Sequence, residues 1–134
     1  MNLKETAKKA ASKETKESAI TQGRDKIKLE ELVAQYGNTL TICGVDVLQV
    51  KDGDSYRPAA AMIVQEDSKH WTFGGASLLT IINAWQDPGA QEMEPISIDL
   101  INAELKKAPI KFNIVKTQQK KDPRKSFWKY DVVD

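Results

Sequence analysis

The sequence predicts a mixed α+β domain that is mainly β: five strands, a helix between the third and the fourth strand, and a short helix before the first. Two runs rich in β-branched and aromatic residues, at residues 109–117 and 127–133, flank a polar connector, which is the pattern of a β-hairpin. An Asp-Gly pair at Asp52 and Gly53 separates two further strand-like runs and predicts a second hairpin. Between the hairpins, four apolar residues recur at helical spacing: Leu78, Ile81, Ile82 and Trp85.

Length and composition indicate one globular domain. The chain has 134 residues, of which 40% are hydrophobic and 29% charged. A chain of this length and composition can form a hydrophobic core without disulfide bonds or a structural metal ion. Cys43 is the single cysteine, so an internal disulfide and a metal-binding thiol pair are excluded. No apolar run approaches a membrane span, and the N-terminus carries no apolar signal-peptide core. We therefore expect a cytoplasmic protein that does not engage a membrane.

Charge is distributed unevenly along the chain, although the net charge is only +1. Residues 1–26 carry seven Lys or Arg against four acids, residues 27–105 carry four against twelve, and residues 106–130 carry nine against one. The small total hides an acidic middle and a strongly basic C-terminal part. Such asymmetry predicts a polyanion as the partner of the basic part.

The basic part centres on the last hairpin. Its connector holds four basic residues: Lys120, Lys121, Arg124 and Lys125. In the strand that follows, Trp128 and Tyr130 share one face, whereas Phe127 lies on the other. A basic loop on a hairpin that bears aromatic residues is suited to holding a phosphate chain and stacking its bases. The alternative is a solvated hairpin whose lysines keep a strand edge from aggregating.

Two regions follow from the apolar pattern. Residues 1–26 contain no aromatic residue and few apolar side chains other than alanine, so we expect a disordered basic N-terminal arm, either adding affinity for nucleic acid or serving as a solubilising tail. Residues 27–134 form the folded domain. It begins with a short helix that stops at Gly37. In the first strand, residues 39–50, the apolar alternation switches faces at Gly44, which predicts a bulge that bends the strand.

The order of elements favours a small number of folds. Pro58 places the start of the second strand at a sheet edge, and Gly74 with Gly75 lets the chain turn tightly from the third strand into the helix. Three strands, a helix and two strands are the arrangement of the OB-fold, a five-stranded, partly closed barrel. A bent first strand favours this fold because that strand serves both halves of the barrel. An open α+β sheet with helices on one face is the competing arrangement.

Two stretches carry a resemblance to a known family. Residues 55–75 read Ser-Tyr-Arg-Pro-Ala-Ala-Ala-Met-Ile-Val-Gln-Glu-Asp-Ser-Lys-His-Trp-Thr-Phe-Gly-Gly and precede the apolar helix. Residues 109–116 read Pro-Ile-Lys-Phe-Asn-Ile-Val-Lys and precede the basic loop and a Phe-Trp-Lys-Tyr run. Together they resemble the small single-stranded DNA-binding proteins of bacteriophages, and the likeness covers residues 27–133.

The resemblance implies a sequence-tolerant single-stranded DNA-binding protein that supports phage or prophage DNA replication or recombination in the host cytoplasm. It implies binding through the second and third strands, the loop between the first two strands and the loop between the last two. The implied nucleic-acid-binding residues are Lys51, Arg57, Trp71, Phe73, Lys116, Lys120, Lys121, Arg124, Lys125, Trp128 and Tyr130. RNA is an alternative ligand, and self-association and contacts with replication or recombination proteins stay open. No cofactor and no metal is expected.

Alternation leaves open which of the aromatic rings face a ligand and which face the core, although Trp85 on its apolar helix face is assigned to the core. No catalytic signature accompanies the single His70, and Asp54, Glu66 and Asp67 are explained as turn residues, so we do not expect an enzyme. The rival function is a protein-interaction module, an accessory factor that binds a replication or recombination enzyme through the acidic middle.

Overall fold

The computed structural model of the chain describes residues 18–87, 89 and 94–134. Within these residues the chain forms six strands and three helices, in the order β1 (Asp25–Lys26), α1 (Leu29–Tyr36), β2 (Thr39–Asp52), β3 (Ser55–Val64), β4 (Asp67–Phe73), α2 (Gly75–Gln86), α3 (Ile98–Lys107), β5 (Ile110–Gln118) and β6 (Ser126–Val132). More residues lie in strands than in helices. The fold therefore belongs to the mixed, mainly β class that the sequence predicts.

All six strands belong to one sheet with the order β1-β4-β3-β2-β5-β6. Both predicted hairpins are confirmed: β2 and β3 meet at Asp52 opposite Ser55 with Gly53 at a φ of 64°, and β5 pairs with β6 as far as Gln118 opposite Ser126. The two-residue β1 is a sixth strand beyond the five predicted. No pairing joins β6 to β1 or β4 within the described residues, so the sheet is open and the predicted closure into a barrel is not confirmed.

Strand β2 is shared between the two halves of the sheet. Residues 39–42 pair with β5, and residues 42–52 pair with β3. The register shifts between Ile42 and Gly44, which confirms the predicted bulge. Strict alternation would put Ile42 and Val45 on opposite faces, but the bulge turns both into the core, where neither has exposed surface. The apolar residues before and after the bulge therefore face the same core.

Side chains replace the missing strand partner beside the bulge. Because β5 begins opposite Ile42, it does not reach Val45. Asn102 of α3 takes its place: its Nδ2 donates to the Val45 carbonyl at 2.9 Å and its Oδ1 accepts from the Val45 amide at 2.8 Å. Nearby, the carboxylate of Glu66 accepts from the amide and the hydroxyl of Thr41, at 2.8 and 2.9 Å. Buried backbone groups at the bend are therefore satisfied.

The core is one large apolar cluster between one face of the sheet and the three helices. Trp85 packs against it as predicted, although it stays partly exposed. A smaller cluster lies on the other face and contains Ile20, Ala61 and Ile63, with Cys43 packed against it. Burial raises the pKa of the Cys43 thiol. Cys43 therefore serves as a small packing residue.

The turn from β4 into α2 depends on the two glycines, as predicted. Gly75 has a φ of 83°, which side chains rarely tolerate. At Gly74 a Cβ atom would lie 2.7 Å from the Tyr130 hydroxyl and 2.8 Å from the Cβ of Leu78. Glycine therefore allows both the turn and a close approach of β6 to the end of β4.

Packed structure begins earlier in the chain than predicted. Residues 1–17 of the predicted disordered arm lie outside the described residues, but residues 18–26 make specific contacts. Ile20 is 4% exposed in the smaller cluster, and Arg24 Nε donates to the Ser68 carbonyl at 2.8 Å. Strand β1 pairs in parallel with the edge of β4. One buried isoleucine and main-chain pairing hold this segment, and composition alone does not reveal either.

Asn102→Ala should destabilise the fold by about 1–3 kcal/mol, because it leaves the amide and the carbonyl of buried Val45 without partners. Urea unfolding of the full chain measures the difference. The matched control is Asn83→Ala on the exposed side of α2, which makes the same change in helix propensity. Equal stability of the two variants would show that Asn102 does not hold the bend.

Candidate nucleic-acid interface

The two edges of the sheet come together around one pocket. Phe73, at the end of β4, and Trp128, on β6, both line this pocket of about 320 Å³, which we call the seam pocket. Its other lining residues are Lys26, Ile27, Lys28, Leu29, Glu30 and Thr72. Strand β6 is one end of the strand order, whereas β4 lies beside β1 at the other end. The sheet therefore curls until two aromatic residues from opposite edges face a shared space.

Each of the two rings has a lysine over it. Lys26 Nζ lies 5.0 Å from the centre of the Phe73 ring, and Lys116 Nζ lies 5.9 Å from the centre of the Trp128 ring. Cations at this distance are attracted to the faces of aromatic rings. The seam pocket thus combines two ring surfaces with positive charge from two different strands.

A second pocket continues from the first. Phe73 also lines a pocket of about 310 Å³ that contains Arg57 and the first residues of α2. A Cβ atom at Gly75, in this second pocket, would lie 3.9 Å from Cδ1 of Trp128. Arg57, Phe73 and Trp128 therefore follow one another along a continuous surface. The resemblance implied all three as binding residues, and the structure brings them together.

Lys51 is placed apart from Arg57. On the first hairpin, Arg57 pairs with Val50 and Lys51 pairs with Tyr56, so the two cations lie on opposite faces. Arg57 Nε is 3.9 Å from an oxygen of Asp52, but both side chains are about 70% exposed. An ion pair this exposed contributes little, so the guanidinium can exchange partners readily.

Trp71 packs away from both pockets. Its ring meets Phe73 edge to face, with the centres 4.9 Å apart and the planes at 83°. It is half-buried against the smaller cluster of Ile20, Ala61 and Ile63. Phe73 lies on the same face of β4 and packs against the same cluster, so the two rings support each other. The resemblance implied Trp71 as a binding residue, and the packed segment that contains Ile20 was expected to be disordered.

Tyr130 is partly buried and packs against the core rather than lying open at a binding surface. Its hydroxyl donates to the Gly74 carbonyl at 2.8 Å, and its ring meets Phe112 edge to face at 5.9 Å. Burial raises the pKa of the hydroxyl. Its contact with Gly74 joins β6 to the end of β4 without strand pairing. We therefore remove Tyr130 from the stacking residues that the resemblance implied.

Lys116 connects the seam pocket to α1. Its Nζ forms an ion pair with Glu30, and both side chains are about half exposed. The hydrogen bond from Lys116 and its charge hold the pKa of Glu30 below the usual range. Because the pair is exposed, a phosphate can compete with Glu30 for the lysine at little cost.

The basic loop, residues 119–125, extends from the end of the hairpin. The Lys125 carbonyl accepts from the Gln119 amide at 3.0 Å, and Asp122 Oδ1 accepts from Arg124 Nε at 3.3 Å. All four predicted cations are exposed: Lys120, Lys121, Arg124 and Lys125. The loop begins three residues beyond Lys116, which is about 10 Å along the strand. Its charges therefore lie close to the seam pocket.

The structure adds Lys26 and Lys28 to the predicted residues. Both line the seam pocket, on either side of buried Ile27. The alternation of lysine with Ile27 and Leu29 is a strand pattern that the sequence contains and that could have revealed them. Lys26 was missed because the arm, which was taken to end at residue 26, was judged by its composition. Tyr56, 67% exposed at the tip of the first hairpin, was also not included.

The residues considered for catalysis have structural roles. Asp67 is 7% exposed, and His70 Nδ1 lies 2.9 Å from its carboxylate. Burial raises the pKa of Asp67, but hydrogen bonds from His70, the Lys69 amide and Tyr36 outweigh burial and leave the pKa below its usual value. In the part of the chain that the structure describes, no three His, Cys, Asp or Glu side chains gather as metal ligands.

Comparison with protein-family models, with curated proteins and with solved structures gives no match. Among the described residues, no helix is long and apolar enough to span a bilayer.

Proposed function

We propose that this protein binds single-stranded DNA with little base preference and acts without catalysis, in support of phage or prophage DNA replication or recombination. The observation that carries the proposal is the seam pocket, where Phe73 and Trp128 face one space with Lys26 and Lys116 over their rings. Proteins that bind single strands combine aromatic surfaces for the bases with positive charge for the backbone. Both parts are present within one pocket.

The proposed path of the strand runs from Arg57 past Phe73 and Trp128 to the basic loop. Bases stack on the two rings, and phosphates take the lysines that cover the rings in the free protein. Lys116 exchanges Glu30 for a phosphate. Stacking accepts every base because each has a π face, so this path predicts little sequence preference.

An OB-like barrel is part of this proposal. The order β4-β3-β2-β5-β6 is that of an OB-fold cut open between its third and fifth strands, which correspond to β4 and β6. The Tyr130–Gly74 hydrogen bond and the shared seam pocket support an approach of these two edges. In this arrangement the ligand lies across the seam.

The second candidate function, a protein-interaction module, is favoured by an apolar groove on the helical side. The groove has a volume of about 450 Å³, is lined by Trp85, Ile96 and Leu105 among others, and carries Leu100 at 62% exposure. It does not share lining residues with the seam pocket. Loss of this function and loss of DNA binding can therefore be told apart by mutation.

Phe73→Leu and Trp128→Leu should each weaken binding of oligothymidine by about 1–3 kcal/mol, because leucine fills space without offering a ring for stacking. Trp85→Leu is the matched control: it removes a partly buried aromatic residue that lines neither pocket, so it should lower thermal stability and leave affinity close to that of the parent. Fluorescence anisotropy of labelled oligothymidine gives the affinities. If the control weakens binding as much as the two ring variants, the seam pocket is not the stacking site.

Changing Lys120, Lys121, Arg124 and Lys125 together to Gln should weaken binding and make its salt dependence shallower by about 3 in log-log slope, at roughly 0.7 per phosphate contact. Stability should hardly change, since exposed charges contribute little. Removing three lysines elsewhere, namely Lys69, Lys106 and Lys107, lowers the net charge by three away from the seam pocket and the β5–β6 hairpin. Equal salt-dependence slopes for the two variants would contradict the proposed path.

The unmodified protein should bind single-stranded DNA more tightly than duplex DNA. Tighter binding of duplex DNA would also contradict the proposed path.

A further inference from the structure

The outer face of the β5–β6 hairpin is a second surface beside the basic loop. Side chains alternate along each strand, so Phe127 lies on the face opposite Trp128. Phe127 pairs with Thr117, and Val115 is its diagonal neighbour across the strands. Phe127 is 37% exposed and Val115 is 40% exposed. An apolar strip with an aromatic ring therefore stays in contact with solvent on this face.

Positive charge surrounds this strip. Lys129 lies directly across from Val115, and Lys111 shares the same face through alternation along β5. Lys129 Nζ is 3.9 Å from Asp131, but both side chains are about 60% exposed, so this pair is weak. Lys125 precedes Phe127 by two residues, which is about 7 Å in an extended chain. The face thus repeats the combination of ring and cations found in the seam pocket.

The basic loop connects the two faces. It is the turn between β5 and β6, so its cations are next to Trp128 on one side and next to Phe127 on the other. A strand that leaves the seam pocket toward these cations arrives at the edge of the hairpin. The aromatic surface that follows is Phe127. A strand that ended at the loop would not need an aromatic ring on this face.

We propose that the outer face of this hairpin is a second contact surface for single-stranded nucleic acid, in which the strand passes around the basic loop and stacks on Phe127. This inference rests on the proposed function and deepens it. Short strands occupy the seam pocket alone, and longer strands reach both faces. The occupant is nucleic acid rather than a second protein because the exposed ring lies among Lys111, Lys129 and the loop cations.

The test compares two lengths of labelled oligothymidine, about 4 and about 16 nucleotides, the limits of the usual site size for one OB-fold. Phe127→Leu should weaken binding of the longer strand about fivefold or more and leave the shorter strand unaffected. Phe127→Tyr keeps the ring and should bind both lengths as the parent does. Leu100→Gln, which removes an exposed apolar residue on α3, away from the hairpin, is the matched control. Thermal melting confirms that each variant is folded.

The outcomes separate this inference from the proposed function. If Phe127→Leu binds both lengths like the parent while Phe73→Leu is impaired, the outer face is not a contact and the inference is wrong. If neither variant is impaired, the proposed function itself is wrong. If Phe127→Leu changes the sedimentation of the free protein without changing affinity for either strand, the face contacts a second copy of the chain, which also overturns the inference.

Discussion

The bulge in β2 is the constraint on which the rest of the structure depends. One strand pairs with β5 through its first residues and with β3 through the remainder, and the register shift between Ile42 and Gly44 lets it change direction between them. Asn102 and Glu66 satisfy the backbone where strand pairing stops. Without this bend the sheet would extend flat, and Phe73 and Trp128 at its two sides would not share a pocket.

The open seam is held by contacts other than strand pairing. Tyr130 donates to the Gly74 carbonyl across the gap, while β1 occupies the edge of β4 that would otherwise pair with another strand. Covering this edge protects it from association with other chains. It also places Lys26 and Lys28 beside the rings. The seam is therefore both the gap between the two sides of the sheet and the place where aromatic and basic groups accumulate.

Much of the fold could be predicted because its signals are local. Alternation identified both hairpins, the Asp-Gly pair gave the first turn, and the face change at Gly44 gave the bulge. Alternation also showed that Trp128 and Tyr130 share a face. It could not show that the Tyr130 hydroxyl donates to the Gly74 carbonyl, 56 residues away. This hydrogen bond holds Tyr130 against the core. Lys26 was missed for the same reason: its position depends on pairing with β4, which the composition of the arm does not encode. Closure of the barrel and single-strand binding remain predictions.

The central claim is that a bound strand stacks on Trp128. A chain with Trp71→Phe and Trp85→Phe keeps Trp128 as its single tryptophan, so its emission reports on that ring alone. Titration with oligothymidine should quench this emission in a saturable manner, with the same midpoint as anisotropy of the labelled strand, and added salt should reverse it. A chain with Trp128→Phe, which keeps Trp71 and Trp85, should show little quenching. Binding by anisotropy with unchanged Trp128 emission, or quenching only in the second chain, would contradict the account.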